Sequence, residues 1–315
     1  MGRFRGRFSR VLFALIILVG ASLSVAGRAA EINDNVGTRA FPSLKIGVGA
    51  ATVGMGEAGV ALSDDAYATY WNVAGLARVR RTQIALMNNA WLLDLRQNYV
   101  AVAQPLGESS GLGAFLSYLD YGEIVGRDDT GAETGLFRPY DLAGGIGLGF
   151  SVNETIALGL QAKYLRQQID DATADGFALD LGVRYDQKDS GFSVGASLQH
   201  LGTSMQFDTE SFALPTTVRA GIGYRILDDR AEVALDSIFP FDNDPRFGAG
   251  ISYEFAGALT VRGGYRFQLG GNELGTVSGL TAGFGLRLES FFVDYAFVSY
   301  GDLGPTNRVS LAAAF

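Results

Sequence analysis

Ile156-Ala157-Leu158-Gly159-Leu160-Gln161-Ala162-Lys163-Tyr164 alternates without a break, and extended chain sorts alternate residues onto opposite faces. Ile156, Leu158, Leu160, Ala162 and Tyr164 share one side; Ala157, Gly159, Gln161 and Lys163 share the other. Across 176 to 186 the pattern returns, with Phe177, Leu179, Leu181, Val183 and Tyr185 opposed by Asp180, Gly182 and Arg184. It recurs at Val218, Ala220, Ile222 and Tyr224 against Arg219 and Arg225, and at Leu259, Val261 and Tyr265 against Arg262, Arg266 and Gln268. A soluble sandwich also alternates, so period alone leaves two architectures. Charge placement separates them: charges keep to the face opposite the aliphatics, as a lipid-facing wall demands, because a misplaced Arg or Lys costs about 2 to 4 kcal/mol at mid-bilayer. Tyr164, Tyr185, Tyr224, Tyr253, Tyr265 and Tyr295 all join the apolar face, mostly near one strand end, where an interfacial girdle belongs.

Working outward, strands are expected near 82–91, 95–104, 111–120, 140–151, 154–168, 174–186, 190–200, 214–226, 230–238, 245–255, 257–268, 276–289, 290–300 and 306–315, an even set of fourteen. Connections after even-numbered strands are mostly tight, such as 187 to 189, 227 to 229 and the reversal at Glu289 and Ser290. Those after odd-numbered strands are mostly longer and more polar: 121 to 139, 169 to 173, 201 to 213, 239 to 244 and 269 to 275, with 92 to 94 a short exception. Short periplasmic turns and long outside loops give this parity in an outer-membrane barrel that starts on the periplasmic side. In hydrocarbon no sheet edge can stay unpaired, so the last strand must meet the first. The expected fold is therefore all-β, a transmembrane antiparallel up-and-down β-barrel over 82–315. Its final alternation, Val309, Leu311, Ala313 and Phe315, resembles the C-terminal insertion signal of bacterial outer-membrane barrels, carried here by Val309, Leu311 and Phe315.

Composition agrees with many short strands. Of 315 residues 48% are hydrophobic, yet beyond residue 30 no run approaches the roughly 18 to 20 that a spanning helix needs. Forty-three glycines against seven prolines, with 21 Phe and 13 Tyr, suit aromatic-rich strands rather than a helical bundle. Residues 1–29 read as a signal peptide: Arg3, Arg5, Arg7 and Arg10, the apolar run Val11 to Val19, then small residues to Ala29. Losing five Arg (3, 5, 7, 10 and 28) takes the balance from 25 basic against 33 acidic residues to 20 against 33, a formal charge of −13 that disfavours nucleic acid as a partner. There is no Cys, which removes disulfides, thiolate metal sites and Cys nucleophiles.

Residues 30–81 break the alternation. They contain Gly54-Met55-Gly56-Glu57-Ala58-Gly59, Ser63-Asp64-Asp65-Ala66 and Tyr70-Trp71-Asn72-Val73-Ala74-Gly75-Leu76. This run resembles the PorV/PorQ family within the wider group of FadL-like fourteen-stranded barrels, whose N-terminal region reads G-M-G-E/D, then D-D-A, then W-N-P-A-G-L. The resemblance is dense over 41 to 77 and rests on pattern and strand number beyond; Val73 stands where the family has Pro. It implies a plug or hatch folded into the lumen, carried by Gly54, Met55, Gly56, Glu57, Asp64, Asp65, Trp71, Asn72, Gly75 and Leu76. Asp64, Asp65 and Asn72 would bond lumen arginines such as Arg219, Arg262 or Arg266. The charged lumen face is expected to present Lys163, Asp180, Arg184, Arg219, Arg225, Arg262, Arg266 and Asp294.

Two motifs match only on paper. Gly54 to Gly59 spells G-x-G-x-x-G but lacks the strand and βαβ unit that make it a nucleotide site. Gly191-Phe192-Ser193-Val194-Gly195 spells G-x-S-x-G inside an alternating strand, and His200, the sole histidine, falls on the opposite face and is expected at the rim. No enzyme, cofactor or metal is expected; scattered lumen carboxylates (Asp180, Glu232, Asp236, Glu254 and Asp294) interleave with arginines as a self-neutralising lining. The expected setting is the bacterial outer membrane, with its lipid and the barrel-assembly machinery as partners. The resemblance implies a type IX secretion-like platform or shuttle for secreted cargo; the alternative is a FadL-like transporter of a hydrophobic ligand such as a long-chain fatty acid.

Overall fold

The structure, a computed structural model, describes residues 35–269 and 277–315. The signal segment, 1–29, lies outside the described residues, as does most of the 269 to 275 connection. Fourteen described strands close into one barrel in which every strand pairs antiparallel with the next. They are β1 (Gln83–Ala90), β2 (Arg96–Leu106), β3 (Ser110–Asp120), β4 (Tyr140–Ser151), β5 (Ile156–Ile169), β6 (Ala172–Asp186), β7 (Phe192–Gly202), β8 (Thr217–Ile226), β9 (Ala231–Pro240), β10 (Arg246–Phe255), β11 (Leu259–Gln268), β12 (Leu280–Leu288), β13 (Phe291–Ser299) and β14 (Pro305–Ala314). The seam runs from Gln83 opposite Ala314 to Ala90 opposite Asn307, and Phe315 N–H extends it to Thr82 O. This seam removes the edges that hydrocarbon would leave unpaired.

The wall is inside out relative to a soluble protein. Along β5, Leu160 is 49% exposed, whereas neighbouring Gln161 is 1% exposed and Lys163 4%. Lipid can solvate the first kind of side chain; only the lumen can satisfy the second. Val309, Leu311 and Phe315 point outward with the other exposed apolar residues.

Connection lengths follow the expected parity with one change. The long connections β3–β4 and β7–β8 each fold back on a small hairpin, Ile124–Arg127 with Glu133–Phe137 and Met205–Phe207 with Glu210–Phe212. These pieces are too short to show a period in sequence. The longer β5–β6 loop expected at 169 to 173 is only the Asp170–Asp171 reversal, because the two strands run on for 14 and 15 residues. Tyr164 and Arg166 both bond Asp175 near that end, so polar ladder pairs extend the hairpin where apolar ones stop.

Residues 40–79 lie within this wall and run its length. Ala40 N–H donates to Ala213 O in the β7–β8 connection, at the mouth with the long loops. Arg78 bonds Ser151 and Asp186 at the opposite end, just before β1. Long loops mark the outer mouth. Between the two ends the chain makes only short helical turns, Pro42–Lys45, Ala50–Val53, Ala68–Trp71 and Val73–Arg78.

Glycines on the inner wall permit this threading. A Cβ at Gly182 would stand 2.2 Å from Asn72 Oδ1, and one at Gly159 2.4 Å from Ala74 N. Backbone thus packs directly on backbone, which any side chain would prevent.

Candidate functional site

The N-terminal segment and the lumen face beneath it form the candidate site. Its apolar half is centred on Trp71, fully buried, whose Nε1 donates to Val48 O at 3.0 Å. Val48, Val53, Trp71 and Leu76 pack on an inner wall sector of Ala85, Met87, Tyr99, Ala101, Ala296 and Val298. None of the expected lumen charges lies in this sector, which is apolar because inner residues on β1, β2 and β13 face the segment rather than water.

Asn72 ties the segment to the wall. Its Nδ2 donates to Val60 O at 2.9 Å and to Val183 O of β6 at 3.0 Å, while its Oδ1 accepts from Ala74 N–H at 3.2 Å. That last bond caps the turn that follows, so the turn forms with Val73 in place of Pro. Gly75 has no room for a side chain, since a Cβ there would stand 2.1 Å from Ser63 O.

The polar half lies against β8 to β12. Gly56 N–H donates to Thr281 Oγ1, which itself donates to Gly54 O. Met55 O would stand 2.1 Å from a Cβ at Gly250. Gly59 and Val60 N–H both donate to Asp236 Oδ2, at 2.8 and 2.9 Å. The run Gly54 to Gly59 is thereby occupied by wall contacts, with no βαβ unit around it.

The partners of the acidic residues differ from those expected. Asp64 pairs with Arg225 at 2.8 Å and stands 4.0 Å from Arg184, rather than reaching Arg219, Arg262 or Arg266. Asp65 accepts from Tyr67 N–H, and Asn72 bonds backbone. Arg262 is taken by Asp294 at 2.7 Å, and Arg219 lies over the rings of Tyr70 and Trp71. Arg266 bonds Glu57 at 2.9 Å and lies over Tyr300. Which carboxylate meets which arginine depends on strand stagger, a long-range property that local alternation does not carry.

His200 also departs from expectation. Expected at the rim and facing away, it is instead buried in the wall, because the β6–β7 register shifts between Leu179 and Leu181. The extra residue of this bulge reverses facing from there on. His200 N–H donates to Asp180, and its Nδ1 meets Lys163 Nζ, which also pairs with Asp180 at 2.6 Å. Ser193 bonds Asp186. No Ser–His pair forms.

Electrostatics sharpen two positions in the segment. Burial alone would raise the Glu57 carboxyl, but Arg266, Arg246, Arg308 and Arg219 together hold it below its usual range. Burial, then the charge of Asp64, push the Asp65 carboxyl up to about 7 from an ordinary 3.8. Between those values the folded chain keeps a proton that the unfolded chain loses, so this group erodes stability as pH rises from about 4 to about 7. Asp65→Asn, whose amide oxygen can still accept from Tyr67, is expected to raise the urea midpoint in detergent at pH 8 and to leave it unchanged at pH 4. An equal effect at both pH values would contradict the assignment.

Above Glu57 a cavity of about 350 Å³ opens at the outer mouth, bordered by Lys45, Trp91, Tyr121, Arg246, Arg266 and Tyr300. A second, of about 110 Å³, shares Glu57, Arg246, Arg266 and Tyr300. Arg246 and Arg308 were not singled out from sequence, although both sit at inward positions of alternating strands, a signal that could have found them.

The family model described as type IX secretion system protein PorV matches residues 29–240, from ahead of the lumen segment through β9. No curated protein matches. Among solved structures, the CymD monoaromatic hydrocarbon channel is similar with a TM-score of 0.61 at 15% identity, covering 85% of this chain and 98% of its own. The Pseudomonas putida toluene transporter TodX gives 0.60 at 14%, with 85% and 96% covered. A Pseudomonas aeruginosa FadL homologue gives 0.57 at 12%, with 85% and 98% covered. At such identities the likeness is one of fold.

Proposed function

The chain belongs to the PorV family of type IX secretion system proteins, and from that premise we propose that it is an outer-membrane platform or shuttle for exported proteins. The family match carries this reading, since it spans both the lumen segment and the first nine strands. The packing supports it. Residues 40–79 occupy the lumen from mouth to mouth and bond its polar wall on β5 to β14, so this stretch acts as a plug and the outer surface is left to do the work. Gly54, Met55, Gly56, Glu57, Asp64, Asp65, Trp71, Asn72, Gly75 and Leu76 hold that plug in place. Of the charged lumen residues, Arg184, Arg219, Arg225 and Arg266 bond it, whereas Lys163 with Asp180 and Arg262 with Asp294 pair within the wall, and neither set is assigned catalysis. Lipid solvates the barrel, the assembly machinery inserts it through the Val309–Leu311–Phe315 terminus, and exported cargo is the functional partner.

Deleting the gene in the producing cell is expected to strip exported proteins from the surface and leave them in the periplasm, with the full chain restoring them. An unchanged surface proteome would refute the platform.

A second reading is favoured by the apolar wall sector around Tyr99 and Met87 and by likeness in fold to hydrocarbon channels. Here the barrel would pass hydrophobic small molecules. Loss of toluene or fatty-acid uptake in the same deletion strain, with secretion intact, would select it.

A further inference from the structure

The arginines around Glu57 outnumber what one carboxylate can satisfy. Arg266 spends one nitrogen on Glu57 and Tyr300, and its Nε has no partner. Arg308, fully buried beneath the ring of Trp91, leaves Nε and Nη2 unbonded, and Arg219 leaves Nε and Nη1. Arg246 borders both cavities and has no hydrogen-bond or ion-pair partner among the described residues. All four guanidinium groups act on Glu57 and Arg219 also acts on Asp236, so among the described residues positive charge around Glu57 exceeds acidic charge, inside a chain whose own net charge is −8. Buried charge in such excess is costly unless an anion balances it.

We propose that the outer vestibule is a binding site for an oxyanion group, carboxylate or phosphate, gripped by Arg246 and Arg266 and carried on a small aromatic or short apolar body. The planar guanidinium fork matches both oxyanions. Trp91, Tyr300, Leu95 and Leu119 supply the apolar wall beside it, and about 350 Å³ accommodates a ring with its charged substituent. Glu57 is the internal competitor: its carboxylate already holds Arg266, so an arriving anion shares the cluster with it. The site stands whether or not the same mouth receives an exported protein.

The test uses the mature full chain in a zwitterionic detergent, titrated with benzoate, phenyl phosphate, inorganic phosphate and neutral benzamide while tryptophan emission is followed. Saturable binding of benzoate or phenyl phosphate, with benzamide at least about ten-fold weaker, is expected, because charge-assisted bonds carry the affinity. The tighter of the two aromatic anions identifies the headgroup. Arg246→Gln should weaken binding about ten-fold or more, and Glu57→Gln should tighten it by removing the competing charge. A misfolded variant could mimic the first result but not the second. Benzamide binding as well as benzoate, no saturable anion binding, or unchanged affinity in Arg246→Gln would each overturn the site.

Discussion

Replacing Gly159 and Gly182 together by Leu is expected to convert a closed barrel into a conducting one. In the native wall these two positions hold Val73 and Ala74 at backbone distance, with Ala74 N only 2.4 Å from where a Cβ at Gly159 would stand and Asn72 Oδ1 2.2 Å from one at Gly182. Neither contact can yield by a side-chain rotation, since backbone or a thrice-bonded amide is the obstacle. The strands themselves lose nothing, because their hydrogen bonds lie within the wall and leucine is compatible with a strand. The segment must therefore lift away from β5 and β6, and a fourteen-strand lumen without it is wide enough for water and small solutes. In planar bilayers the native chain should be nearly silent and the double variant should show discrete conductance steps. Trypsin should reach Arg78 in the variant first. A folded double variant as silent as the native chain would refute the idea that this backbone contact seals the lumen.

Trp71→Ala is the second large effect. The indole is fully buried, donates to Val48 O, and lies edge-on to Tyr70 with Arg219 over its ring. Truncating a buried Trp costs about 3 to 5 kcal/mol through lost transfer energy and the cavity left behind. That loss should fall on the segment rather than on the strands. Hydrogen exchange in detergent should show 48–76 losing protection while β1 to β14 keep theirs, and the circular-dichroism signal of the sheet should not change. Uniform loss across the barrel would mean that segment and wall unfold as one unit.

The wall was legible in sequence because its determinants are local. Alternation needs only neighbouring residues, and the 140–151 strand read from it coincides with β4. β6 starts at Ala172, two residues before the expected 174, because Ala172 and Thr173 are both exposed and carry no apolar-out alternation. Partners across the lumen were not legible. Asp64 meeting Arg225 rather than Arg219 follows from how far each strand is staggered around the barrel. His200 illustrates the same limit on a smaller scale, since one inserted residue in β7 reverses facing and leaves no mark in composition. Arg246 and Arg308 sit at inward positions like other lining residues, and only their shared action on Glu57, with Arg246 also bordering the cavity beside it, sets them apart.

The path of residues 40–79 also constrains the order of assembly. Ala40 bonds the β7–β8 loop at one mouth and Arg78 bonds Asp186 at the other. A thread running end to end cannot be docked from the periplasm once the cylinder is complete, unless its leading end first passes through. The β1–β14 seam should therefore zip up around a segment already lying in the groove of the curling sheet, which makes the final seam a clasp as well as a closure.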